Sequence, residues 1–240
     1  MSTGSVPDAE PRPRVAIVTG AASGIGAAVA AELTSRGWRV AGFDLRPSEW
    51  DASTVVDVAD APAVQDAVAG VVRELGPVDA VVSAAGHYAM ADFGDITPAE
   101  WNAMLRVHLG GLVNLVRAVL PQMTEQGHGS IVAVTSELAI GGGDRDAHYA
   151  AAKGAIIGLV RSLAAEVADT GVRVNAVAPG PTDTPLIGAD SPWRDPDYLA
   201  TIPLRRLVAP EEVARTVTYL VEEATFMTGE ILSPNAGAVI

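Results

Sequence analysis

The 240-residue chain has no cysteine and a single lysine. Without thiols it can form no disulfide, present no thiol nucleophile and build no thiolate zinc or iron–sulfur site. Its four histidines, His87, His108, His128 and His148, lack paired helical metal spacing, so no metal is expected. Positive charge is scarce: 16 Lys and Arg stand against 29 Asp and Glu, for a net charge of -13. With no basic run, that balance argues against a phosphate backbone or an anionic membrane as partner. No apolar stretch reads as a membrane span of ~20 residues. Met1 to Arg14 are polar and proline-rich, without the apolar centre of a signal peptide. The expectation is a cytoplasmic protein with a disordered tail at 1–13 and one domain at 14–240.

The one lysine is Lys153, four residues after Tyr149 in Tyr149-Ala150-Ala151-Ala152-Lys153. Every other fixed cation is an arginine, so the sequence departs from its habit at a single place. Lysine is a compact ammonium with three rotatable donors, where arginine is a wide planar fork. Positions i and i+4 share a helix face, which brings the ammonium to the neighbourhood of the phenol. A phenol titrates near ~10, and an adjacent cation favours its ionised form. The pair is a candidate acid/base unit; a surface lysine beside a half-buried tyrosine is the plainer alternative.

From Arg14 onward, short β-branched runs alternate with long Ala/Leu-rich helical patterns, the mark of a parallel sheet wrapped by helices. Strands are predicted at Val15 to Thr19, Arg39 to Phe43, Thr54 to Val56, Ala80 to Ser83, Ile131 to Thr135, Arg173 to Ala176 and Glu230 to Leu232. Helices are predicted at Ile25 to Arg36, Ala61 to Leu75, Pro98 to Glu125, Ala147 to Asp169 and Pro210 to Glu222. The helix from Pro98 is apolar on more than one side, and the one from Ala147 carries a small-residue face. Both features point to a homo-oligomer.

The first strand runs into Gly20-Ala21-Ala22-Ser23-Gly24-Ile25-Gly26 and then an Ala-rich helix. Glycines let the backbone turn and let a pyrophosphate approach, while the helix N-terminus offers unpaired N–H groups and partial positive charge. The spacing is Gly-x3-Gly-x-Gly rather than the common Gly-x-Gly-x2-Gly, so the strand–loop–helix context carries the assignment. Asp44, followed by Leu45, ends the next strand, where its carboxylate can accept from the adenosine ribose and repel a 2′-phosphate. NAD is therefore expected over NADP, with Arg46 able to soften the preference.

Together the motifs resemble the short-chain dehydrogenase/reductase family in its shorter, single-domain branch. They are Thr19-Gly20-x3-Gly24-x-Gly26, Asp57-Val58, Ser83-Ala84-Ala85-Gly86, Ser136, Tyr149-x3-Lys153, Asn175, Pro179-Gly180 with Thr184, and Ile202-Pro203-Leu204, in that order over nearly the whole chain from Arg14. The resemblance implies an α/β, Rossmann-type doubly wound parallel sheet of about seven strands with helices on both faces. It implies that Asp57 and Val58 hold the adenine, that Ser83, Ala84, Ala85 and Gly86 line the cofactor, and that Pro179, Gly180, Thr182 and Thr184 shape the nicotinamide side. Lys153 would bond the nicotinamide ribose and lower the pKa of Tyr149, and Ser136 would position the substrate oxygen. A homotetramer is the family's usual assembly.

Two departures stand out. Ser83 replaces the usual Asn, and His108 in Val107-His108-Leu109-Gly110 replaces an Asn held to anchor a water behind the lysine. An imidazole can hold that water but can also charge in mild acid. The substrate pocket is expected from Glu137, Leu138, Tyr88, Arg145 and Trp193. Arg145 would grip a carboxylate if it is not merely a solvated loop charge between Asp144 and Asp146. The short connection from Asp44 to Asp57, with Pro179 to Thr184, resembles cyclic-diol dehydrogenases of the 2,3-dihydro-2,3-dihydroxybenzoate type; sugar and hydroxy-acyl dehydrogenases share parts of that look. The alternative from another class is a noncatalytic dinucleotide-binding or sensor protein, suggested by His108 and the tail Ser233-Pro234-Asn235-Ala236-Gly237.

Overall fold

Val15–Thr19 forms β1, and all five of its side chains are buried, as befits a central parallel strand covered on both faces. The computed structural model describes residues 12–240. After β1 come α1 (Gly24–Ser35), β2 (Arg39–Asp44), β3 (Ala52–Val55), α2 (Ala61–Leu75), β4 (Ala80–Ser83), α3 (Pro98–Leu105), a π turn (Arg106–Gly110), α4 (Gly111–Gln126), β5 (Gly129–Val134), α5 (Leu138–Gly141), α6 (Ala147–Glu166), β6 (Val172–Val177), α7 (Pro196–Thr201), α8 (Pro210–Glu222) and β7 (Ile231–Leu232). All strand pairs are parallel, in the order β3-β2-β1-β4-β5-β6-β7. Alternate residues of each strand feed opposite cores. Val15, Ile17, Val81, Ile131 and Val174 pack under α2, α4 and α6, while Ala16, Val18, Val40, Val82 and Val132 pack under α1 and α8.

Strand order reverses between β1 and β4, so the loops leaving their C-terminal ends diverge and open a crevice, the usual ligand position in such sheets. Thr19 closes the floor of that crevice: its Oγ accepts from the amides of Ala84 and Ala85 at 3.1 and 3.0 Å.

The long helix predicted from Pro98 is present but is not uniform. Thr97 starts it with a reciprocal cap, its Oγ accepting from Glu100 N at 3.3 Å while the Glu100 carboxylate accepts from Thr97 N at 2.8 Å. At Arg106–Gly110 the backbone takes one wider π turn, which turns His108 inward to only 3% exposure. Such wide turns often sit at functional sites. Within Pro98–Gln126 an 18-residue stretch of mean hydropathy 1.4 is apolar enough to cross a membrane by length and composition alone. Leu112, Leu115, Val116, Val119 and Met123 are instead buried in the core beside Val64 and Val68 of α2.

Residues 1–11 of the expected tail lie outside the described residues. Arg12 is anchored, its guanidinium bonding both oxygens of Asp79 at 2.8 and 2.7 Å. Two short helices, α5 and α7, were not anticipated; both lie in the segments that wall the crevice.

Candidate active site

The crevice holds two cavities that share Ile25, Ala84, Gly86, Thr184 and Leu186 and so form one continuous trough. One half, about 270 Å³, is lined by Gly20, Ser23, Gly24, Gly26, Asp44, Leu45, Arg46, Asp57, Val58, Ala85 and Val107, among others. Here the glycines are required. Gly20 and Gly24 have φ of +70° and +56°, and a Cβ on Gly26 would lie 2.2 Å from the Gly20 carbonyl oxygen. The bare loop lets the N-terminus of α1 face the trough, as a pyrophosphate cradle needs.

Asp44 is pre-oriented. One carboxylate oxygen accepts from Ala22 N at 3.1 Å and the other from Arg46 N at 3.0 Å. The Arg46 side chain reaches back to donate to Ser23 Oγ at 2.9 Å. Asn114 donates to the Val58 carbonyl at 2.9 Å, holding the Asp57-Val58 turn at the trough wall. Ser83 lies buried beneath the trough and is not part of its lining. Asn175 is further removed: it donates to the Met227 carbonyl and accepts from Glu230 N, tying the β7 approach to β6.

The other half, about 110 Å³, collects Ser136, Tyr149 and Lys153 with Pro179, Gly180, Thr182, Thr184 and His108. Ser136 follows β5, while Tyr149 and Lys153 sit one turn apart on the buried face of α6. Lys153 Nζ donates to the Val134 carbonyl at 2.8 Å and stands 5.6 Å from the Tyr149 ring centre. Burial pushes the lysine down to about 7. Burial also pushes the Tyr149 phenol up, reinforced by the Glu137 charge and eased by the Ser136 hydroxyl. The expected lowering of the phenol by Lys153 is therefore outweighed in the protein alone, because desolvation acts on both groups and drives each toward its neutral form.

His108 is also corrected. Its ring stands 5.5 Å from that of Tyr149, edge to face, and its Nε2 lies 2.8 Å from the His87 carbonyl oxygen. The His87 amide also points at Nε2, from 3.3 Å, but the shorter contact to the carbonyl favours the tautomer with the proton on Nε2, which leaves Nδ1 as a buried acceptor with no protein partner. Burial, then the Lys153 charge, pushes this imidazole down to about 2. It remains neutral at working pH, and the acid step expected of an ordinary histidine near ~6.5 is lost. Profiles of kcat/KM against pH for the wild type and His108→Asn should share one shape between pH ~5 and ~9. A step near 6.5 that vanishes in the variant would show that the ring charges after all.

On the substrate side, Glu137, Leu138, Tyr88 and Trp193 all line the cavity. A chain of hydrogen bonds crosses it: Trp193 Nε1 donates to Tyr88 Oη at 2.9 Å, and Tyr88 donates to Asp146 Oδ1 at 2.7 Å. The lid segment bearing Trp193 is thereby pinned to the rim of α6. Arg145 is not brought in. It pairs with Asp92 at 3.0 Å, half exposed and outside the lining, so it grips no substrate carboxylate. Its neighbour Asp146, to which the sequence reading assigns no role, is fully buried. Its position three residues before Tyr149, at the start of α6, was the available signal.

Comparison with known proteins finds relatives over nearly the whole chain. A family model described as enoyl-(acyl carrier protein) reductase matches residues 20–238. The 3-oxoacyl-[acyl-carrier-protein] reductase of Thermotoga maritima is 33% identical over 241 residues, covering 95% of this chain and 98% of the relative. The acetoacetyl-CoA reductase of Synechocystis sp. is 37% identical over 227 residues, covering 92% and 95%. The solved structure of Thermoplasma acidophilum aldohexose dehydrogenase superposes with a TM-score of 0.88 at 29% identity, covering 94% of each chain.

Proposed function

The chain belongs to the short-chain dehydrogenase/reductase family, and from that premise we propose that it is an NAD-dependent oxidoreductase interconverting a secondary alcohol and a ketone. The observation that carries this reading is the convergence of Ser136, Tyr149 and Lys153 on one cavity continuous with a glycine-walled trough. The trough fits a dinucleotide because Gly20, Gly24 and Gly26 line it as a loop without side chains at the N-terminus of α1, and a Cβ at Gly20 or Gly26 would strike backbone and push that loop out of shape. A bound nicotinamide would supply the hydride acceptor or donor.

The rest is done by the chain. Ser136 holds the substrate oxygen, and Tyr149 takes the hydroxyl proton in oxidation or returns it in reduction. Lys153 favours the tyrosinate by its charge, opposing the desolvation that raises the phenol. The unpartnered Nδ1 of His108 accepts from a relay water behind the lysine. A noncatalytic dinucleotide binder would have no use for these groups. NADH formation with a panel of secondary alcohols decides the matter: no turnover with either dinucleotide, although the dinucleotide binds, sinks the proposal.

NAD preference rests on the two amide bonds that aim Asp44. Asp44→Ala should narrow the NAD/NADP ratio in kcat/KM by about tenfold, one charge repulsion at the 2′ position. Equal efficiency with both cofactors in the unmutated protein would refute the preference, and Arg46, whose Nε lies 3.9 Å from Asp44, would be the residue responsible. The half-buried flanks of α4 and α6 fit a homotetramer, to be checked by light scattering.

A further inference from the structure

Next to the reacting groups the cavity carries an acidic residue that forms no salt bridge among the described residues. Glu137 is 5% exposed and follows Ser136 directly. Ser136 Oγ donates to its Oε2 at 3.1 Å, and the like charge of Asp146 adds to burial in raising its carboxyl. Tyr88 donates to Asp146 and accepts from Trp193, and Lys153 spends one of its three donors on the Val134 carbonyl. Glu137 therefore offers a substrate a buried acceptor directly beside Ser136, and a buried carboxylate with a single side-chain donor keeps acceptor capacity unmet at a desolvation cost.

We propose that Glu137 selects substrates bearing a hydroxyl on the carbon next to the carbinol, a vicinal diol or polyol, and rejects those whose neighbouring groups only accept hydrogen bonds. The inference rests on the alcohol/ketone activity proposed above. Geometry supports it. Oxygens on adjacent carbons lie about one hydrogen-bond length apart, ~2.8 Å. A reacting oxygen on Ser136 and a neighbouring hydroxyl on Glu137 then close a ring of four oxygens over the 3.1 Å Ser136–Glu137 contact. A thioester or carboxylate beside the carbinol would set lone pairs against the glutamate. An ammonium in place of the second hydroxyl would meet the Lys153 charge in the same cavity.

The test compares cyclohexane-1,2-diol, cyclohexanol and a 3-hydroxybutyryl thioester as hydride donors to NAD. At pH 8.5 the diol should exceed both others in kcat/KM by about 10²-fold or more, since a site built to bond a hydroxyl discriminates strongly against its absence. Glu137→Gln, which keeps shape but removes the charge, should cut the diol/cyclohexanol ratio at least tenfold, and Glu137→Leu should bring it near one. The ratio is read on one preparation and does not depend on the fraction folded.

Should neither variant fold, the wild type supplies its own test. Burial pushes the Glu137 carboxyl up to about 7, so it is charged above and protonated below that pH. The diol/cyclohexanol ratio should fall as pH drops from 8.5 to 5.5. The titratable groups facing Glu137 or lining its cavity are Asp146, Tyr88, Tyr149, Tyr198, Lys153 and His108. Lys153, pushed down to about 7 by burial, acts through Tyr149 on both substrates, and burial pushes Tyr88 up and His108 down to about 2. Tyr149 serves both substrates and cancels in the ratio, Tyr198 is pushed up to about 12 by burial, and Asp146 is tied to Tyr88. A wild-type ratio near one, a ratio unmoved by both Glu137→Gln and pH, or a preference for the thioester overturns the inference while the oxidoreductase reading stands. Absence of turnover with every alcohol removes both.

Discussion

Tyr149→Phe should lower turnover by roughly 10²–10⁴-fold, the usual contribution of a positioned general acid/base, while dinucleotide affinity changes little. The phenol oxygen is the only atom removed. The ring remains packed edge to face with Tyr88 and His108, at centre distances of 5.0 and 5.5 Å, so the wall of the cavity survives. The trough is lined by other residues and contains no part of Tyr149. Kinetics and a fluorescence titration of NAD on the same preparation separate the two effects. Loss in kcat and kcat/KM together, with unchanged binding, is the signature of an interaction made in the transition state. Activity within tenfold of the wild type would mean that another group moves the proton.

Much of this site was legible because the family's chemistry is written in residues that are costly elsewhere. Gly26 is one such residue: only a missing Cβ accommodates the Gly20 carbonyl. Lys153 is another, a buried cation in a chain that otherwise uses arginine. The sheet was equally plain, since β1, β4 and β5 are nearly continuous apolar runs. What failed to show was environment. The charge state of His108 depends on how deeply the π turn buries it, and Arg106 to Gly110 carry no pattern that announces a wider turn. Asp146 and Arg145 are adjacent and equally polar, yet one is fully buried and the other half exposed. That difference is set by Tyr88 and Asp92, far away in sequence. Substrate residues depend on such pairings more than cofactor residues do, because the cofactor is met by backbone and the substrate by side chains.

Lys153→Arg should be nearly as damaging as loss of the phenol, with turnover down by about 10²-fold or more and with weaker NAD binding as well. The substitution keeps a positive charge, so it tests shape and titration rather than sign. Lys153 is 5% exposed, and its ammonium reaches the Val134 carbonyl at 2.8 Å from within α6. A guanidinium is wider, and forcing extra volume into a packed site costs about 1–3 kcal/mol through shifted neighbours. Ala152 and Ile156 are buried beside it on the same helix. Arginine also cannot shed its charge, whereas burial brings the lysine down to about 7 and lets it exchange a proton near working pH. The neighbouring His108 ring, already neutral, cannot take up that role. Binding suffers because, in the proposed assignment, the ammonium bonds the nicotinamide ribose from the cavity that continues the trough. Thermal melting should show a folded variant, stopped-flow transients should show slow hydride transfer, and NAD titration should show a raised Kd. A variant with wild-type binding and turnover within tenfold would reduce Lys153 to a buried charge that any cation can replace.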